Sequence, residues 1–380
     1  MIHEQQRLEW RKQLVTDSDH GVCGDIYLVG SDAEPDANRV VTERILPIAD
    51  KYKIGTWPQL PQRDSRESMR VQPQYQRERG LTAENGKIVF DTEIFIATSD
   101  QSTSSDLHPD AALGYYTVLR RAAEFPPDMR LFKTHLATPA CSFGAWPTTM
   151  DRGDVEEVQG EIYPALVSSH IKAIQDAFPG VTVLVSADDP ATVSGASTLA
   201  SLKMMGFNKA PPALVALHSC GGPDVLPLMI SGMIDLFHVV SPAHDGLYRG
   251  FPEAVQTHVD GWGLFALGVV PNTEGALFEF AKGKDKKLEN VQIRTSSDYD
   301  DTAVWYDGHM EQAADAMVGH YASFVRMIAE ESDRKPVDVA RHCMAGPECG
   351  MGDTVHNGMR DVVYGLTHMV SGKIRAHNWS

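Results

Sequence analysis

The sequence predicts an α/β fold, a single (β/α)8 TIM-type barrel, and three observations lead there. Short apolar, β-branched runs recur along the 380 residues. Several are continuously apolar rather than alternating, as in parallel strands buried on both faces. Longer helix-compatible stretches separate them, which suits a barrel of alternating strands and helices. The runs are KIGTW (53–57), IVFDTEIFIATS (88–99), LFKTHLAT (131–138), VTVLVSA (181–187), ALVALHSC (213–220), IDLFHVV (234–240), LFALGVV (264–270) and VDVARHCM (337–344). The count reaches eight by taking 88–99 as one strand. Among the helical stretches, 153–178 opens with acidic residues and stops at a Pro-Gly pair. Residues 309–331 carry apolar side chains at three- and four-residue spacings.

Three stretches interrupt the repeat. Residues 1–50 read as an N-terminal extension packed on the barrel, with a further strand candidate at 22–30; the barrel itself is expected over 51–380. The Arg-rich segment 60–87 reads as a loop with one helix near the barrel mouth. Residues 282–308 pass from basic to acidic and read as an insertion.

Composition narrows the partners. Hydrophobic residues at 42% and charged residues at 22% allow a sizeable core and exclude global disorder. With 34 Lys and Arg against 51 Asp and Glu, the net charge is −17. Nucleic acid and anionic membranes are therefore poor partners, because both need clustered cations. Five cysteines, at 23, 141, 220, 343 and 349, do not suit a fully paired disulfide framework. No signal peptide and no 18-residue apolar run is evident, so a cytoplasmic protein with reduced thiols is expected. Homo-oligomer formation is left open.

In such a barrel the chemistry sits at the C-terminal tips of the strands. The fifth run ends in His218-Ser-Cys220, and residues i and i+2 of a strand share a side. Imidazole and thiolate there could hold zinc, although such a triplet also arises by accident. The eighth run leads to Cys349 in a Gly/Pro turn, readable as a ligand or as a buried thiol. The fourth run ends in Asp188-Asp189-Pro190. Asp189 reads as a helix cap before Pro, and Asp188 as the better candidate for a base or an ammonium partner. Glu274 follows the seventh run, where it could contact a substrate.

Four segments in order, IGTWPQLP (54–61), SADDPA (186–191), LHSCGG (217–222) and GPECGMG (346–352), carry a resemblance. Over residues 50 to 380 the chain resembles the cobalamin-independent methionine synthase catalytic domain. Uroporphyrinogen decarboxylases and coenzyme-M alkyltransferases share that barrel superfamily. The resemblance implies Zn2+ held by His218, Cys220 and Cys349, with a thiol substrate joining as the nucleophile. It implies transfer of a methyl or other alkyl group to sulfur, with homocysteine the first acceptor to test. Asp188 would bind the substrate amino group, and Gly55, Thr56 and Trp57 would line the first-strand side.

The sequence departs from the family in two respects. No Glu stands where methionine synthases carry a further zinc ligand after strand six; His244 or Asp245 could substitute. The family's N-terminal half is lacking, and the net charge disfavours a polyglutamylated folate donor. Rival expectations are therefore another alkyl donor, an epoxide or a corrinoid, with a coenzyme-M-like thiol, or a metal-free decarboxylase-like barrel. His135, His238 and Cys343 rank lower as site residues, with core packing favoured for Cys343. Cys23 and Cys141 read as structural.

Overall fold

The computed structural model describes residues 2–30, 32, 34, 36–58, 87–90, 95–98, 106–107, 113–142, 152–189, 195–219, 224–240, 248–285, 288, 299–350 and 357–379. It is an α/β protein whose described residues include a parallel sheet of seven strands with helices between them. Those strands are β1 (Ile54–Thr56), β5 (Leu131–Ala137), β6 (Thr182–Asp188), β7 (Leu214–His218), β8 (Leu236–Val239), β9 (Leu264–Val270) and β10 (Cys343–Pro347). A separate antiparallel sheet holds β2 (Lys87–Phe90), β3 (Phe95–Thr98) and β4 (Asp106–Leu107).

The expected second barrel strand is therefore corrected. The 88–99 run divides into β2 and β3, paired antiparallel from Lys87↔Thr98 to Phe90↔Phe95. In the sequence between them, Asp91-Thr92-Glu93-Ile94, three polar residues interrupt the apolar run. Among the described residues seven parallel strands stand where eight were expected. The last run also shifts: Pro336–Ala340 is a helical turn, and the strand begins only at Cys343. Pro336 at the first turn, where no intrahelical N–H is needed, accounts for the turn.

The chain divides into two compact units, residues 1–10 with 35–236, and residues 11–34 with 237–380. In the first, β1, β5, β6 and β7 are neighbours in that order, all parallel. Gly55 is demanded by packing, since a Cβ there would lie 2.5 Å from Met129 Sδ and 2.7 Å from Phe132. Arg7 of the N-terminal helix Ile2–Thr16 reaches Asp235 at 2.7 Å, while Asp235 also accepts from the Val215 amide at 2.8 Å. This buried acid thus joins the helix to β7.

In the second unit, β9 and β10 pair from Phe265↔Cys343 to Val270↔Pro347. The expected strand candidate at 22–30 contributes a short parallel bridge beside β10, with Tyr27 N–H donating to the Ala345 carbonyl at 2.9 Å. The Ala345 N–H donates to the Asp25 carbonyl at the same distance. Gly346 permits this approach, because a Cβ there would stand 2.0 Å from the Tyr27 carbonyl oxygen. The long helix Asp300–Glu331 packs its apolar stripe, including Tyr321, Phe324 and Ile328, into this unit's core. Among the described residues no helix is long and apolar enough to cross a membrane.

Candidate functional site

In the first unit the pleat sorts β5, β6 and β7 into two unlike faces. Parallel register aligns Phe132 with Val183 and Thr134 with Val185, and Val185 in turn with Val215. This face meets the Arg152–Ala177 helix: Phe132 stacks on Phe178 just beyond it, and Thr134 Oγ1 lies 2.5 Å from His170 Nε2. The other face holds Lys133, His135, Ser186, Asp188 and His218, with Thr56 of β1 beside Lys133. Strands covered on both faces are ordinarily apolar throughout, so this polar row requires its own explanation.

Asp188 and His218 are direct cross-strand partners at the C-terminal ends of β6 and β7. Ser186 Oγ donates to Asp188 Oδ1 at 2.9 Å. Burial raises the Asp188 pKa above the ordinary carboxylate value, and Asp189 adds to this, against the opposing pull of Lys133, His218 and the Ser186 hydroxyl. Asp189 has a different task. It accepts from Thr198 Oγ1 at 2.8 Å, and its N–H donates to the His218 carbonyl at 2.8 Å. That arrangement ties β6 to β7 and to the Gly195–Met204 helix, while the helix start expected at Pro190, with Asp189 as its cap, lies outside the described residues.

Trp57, past the end of β1, donates its indole N–H to Thr134 Oγ1 at 2.8 Å and stacks on His135 at 4.1 Å. His170 stacks on Tyr115 at 4.3 Å. Both histidines are kept neutral: burial takes His170 down to about 3. Burial, assisted by Lys133, His170 and His218, holds His135 well below the usual imidazole value. Two hydroxyls near the strand ends, Thr56 Oγ1 and Ser219 Oγ, are buried without a hydrogen-bond partner among the described residues. Buried hydroxyls are normally paired, so these two are available to a ligand.

The second unit holds the other expected residues. Cys349 follows β10 in a turn fixed twice: Glu348 N–H donates to the Val270 carbonyl at 2.9 Å, and Asn272 Nδ2 to the Gly350 carbonyl at 2.7 Å. Cys349 is half-buried, whereas Cys23 and Cys343 are buried. Burial pushes the Cys23 thiol up to about 11, and raises Cys343 well above its ordinary value. Cys343 Sγ lies 3.4 Å from the Val339 carbonyl, at the opposite end of β10 from Cys349. Glu348, raised to about 7 by burial, is the acid beside Cys349. Glu274 opens the Glu274–Lys282 helix, which Thr273 caps by accepting from the Ala276 amide at 3.2 Å. His238 of β8 is buried and packs its ring 4.9 Å from that of Tyr27.

Of the residues expected from sequence, the first unit contains Thr56, Trp57, Asp188 and His218, of which Asp188 and His218 are cross-strand neighbours. Gly55 belongs to the packing on Met129 and Phe132. Cys220, His244 and Asp245 lie outside the described residues. Cys141 falls in the short helix Pro139–Ser142. Among the described residues, to which Cys220 does not belong, no cluster of three or more His, Cys, Asp or Glu could hold a metal. Sequence reasoning missed Lys133 and Ser186. The signal was present, since Lys133 and His135 interrupt an apolar run at the two-residue spacing of one strand face.

No protein-family model matches the chain, and no curated protein matches it in sequence.

Proposed function

We propose that the protein is a zinc-dependent thiol alkyltransferase of the methionine-synthase-like barrel superfamily, acting on a homocysteine-like acceptor. The observation that carries the reading is the pairing of Asp188 with His218 on one polar strand face, at the C-terminal ends of β6 and β7. His218, Cys220 and Cys349 are the zinc ligands in this reading, with His244 or Asp245 as a further ligand. The donor chemistry fits. Cys349 is a half-buried thiol on a fixed turn, while the thiols of Cys23 and Cys343 are raised by burial and ill suited to ligation. Zinc, when bound, supplies deprotonation of a coordinated thiol near neutral pH, where a free thiol is mostly protonated.

The remaining work falls to the chain's own residues. Asp188 orients the acceptor by its ammonium group, with the Ser186 hydroxyl holding one carboxylate oxygen. Thr56 offers a buried hydroxyl, and Trp57 forms a wall fixed by Thr134 and His135. Gly55 keeps the β1 backbone close to Phe132. Glu274 is the substrate contact contributed after β9. A small-molecule thiol and an alkyl donor are the partners.

The test is methyl transfer from a small activated methyl donor to homocysteine, followed for the wild type and for Cys349→Ser. Acceleration by the wild type and its loss in the variant are expected. Equal rates with the two proteins would remove the proposal.

A further inference from the structure

We infer that a cavity at the N-terminal end of β7, beside the helix Ile2–Thr16, is a second small-molecule site and takes an aromatic monocarboxylate. All of its lining residues belong to the first unit. His218 stands at the other end of β7, so this site is separate from the proposed catalytic one and does not depend on the alkyltransferase reading.

The cavity encloses about 470 Å3, within the range of pockets that hold small organic ligands. The Ile2–Thr16 helix lends it Glu4 and Arg7, and the end of the Gly195–Met204 helix lends Leu202 and Lys203. Phe207, in the connection leading to β7, and Met233 complete the part used here. Leu202 is fully buried, while Phe207 and Met233 are half-buried, so part of the apolar lining stays uncovered. A ring laid against Phe207 and Met233 would gain the contacts that aromatic and thioether groups favour. Catalytic groups of barrels gather at the C-terminal tips of the strands, so a cavity at the other end calls for a different role.

The charges select an acid. Arg7 is held in place, with Nε donating to Asp235 Oδ2 at 2.8 Å and Nη2 to the Met233 carbonyl at 2.7 Å. Asp235 is fully buried and also accepts from the Val215 amide, so it fixes Arg7 rather than meeting a ligand. Arg7 Nη1 has no partner among the described residues, which leaves a second edge of the guanidinium for a planar acceptor. Lys203 is exposed and makes no ion pair among the described residues. Glu4 is the one acid in the lining, against two cations, in a chain of net charge −17. A carboxylate suits the guanidinium edge, and Lys203 adds a point charge beside it.

The experiment titrates the full chain with 3-phenylpropanoate, with its neutral isostere 3-phenylpropanamide and with the cationic 3-phenylpropylamine, and follows binding by calorimetry. The wild type should bind the acid about 10-fold more tightly than either of the others, as charge-assisted hydrogen bonds provide. Lys203→Met, at an exposed position, should weaken the acid about 3- to 10-fold and leave the amide unchanged. Phe207→Ala should weaken acid and amide alike. Asp188→Asn, at the far end of the strands, should change neither. Amide or amine binding as tight as that of the acid would overturn the choice of ligand, and so would the absence of saturable acid binding at millimolar concentration. Acid binding lost in Asp188→Asn but kept in Lys203→Met would put the ligand at the strand tips and overturn the site.

Discussion

On one face of β5, β6 and β7, Phe132, Thr134, Val183, Val185 and Val215 are aligned by register; on the other, Lys133, His135, Ser186, Asp188 and His218 are. The same strands, and often adjacent residues, supply both sets. The first face is joined to a helix through Phe178 and His170, and its one polar group, Thr134, is bonded to both Trp57 and His170. The second concentrates groups whose ionisation the surroundings shift, among them Asp188 and His135. Stability and chemistry are thus separated by the two-residue period of the strand, so substitutions one position apart should give opposite phenotypes.

Four substitutions or titrations would break or sharpen that contrast. Phe132→Ala should cost about 3–5 kcal/mol of stability, through loss of the stack on Phe178, and should leave zinc content unchanged. Urea unfolding beside elemental analysis tests both halves. His218→Ala should reverse the pattern, weakening zinc retention more than about 100-fold, which competition with a chelator would measure. Its urea midpoint should fall by less than that of Phe132→Ala. Thr134→Val should cost about 1–3 kcal/mol, because the Trp57 indole N–H and His170 Nε2 both lose their partner. Near-ultraviolet circular dichroism would report the released indole.

The smallest effect is a pH dependence. His170 and His258 are taken down to about 3 in the folded state, chiefly by burial. Between their unfolded value near 6.5 and that folded value, the unfolded chain binds protons that the folded chain does not. Stability should therefore be complete above about pH 6.5 and decline as pH falls towards 3. The slope is at most about 1.4 kcal/mol per pH unit for each histidine. Urea midpoints at pH 7 and pH 5 measure it, and His170→Gln should flatten the curve.

The α/β class and most of the parallel strands were legible in the sequence because continuous apolar runs such as VTVLVSA and LFALGVV have few other uses. The 88–99 run was not, since Phe90 and Phe95 bracket a polar interruption that a simple count of apolar residues passes over. The 337–344 run misled for a related reason: Val337 and Val339 favour strands, yet Pro336 starts a helical turn. At the site, Asp188 and His218 could be found by their position at strand ends. Lys133 escapes that rule because it sits mid-strand, where its two-residue spacing from His135 within an apolar run is the signal to be read.

The central claim, a zinc site with two protein sulfurs that admits a substrate thiol, is tested most directly by X-ray absorption at the zinc edge. The reduced protein should show two sulfurs at about 2.3 Å and at least one nitrogen at about 2.0 Å, with a third sulfur appearing when homocysteine is added. A zinc-free protein, or a sulfur count unchanged by the thiol, would contradict the account.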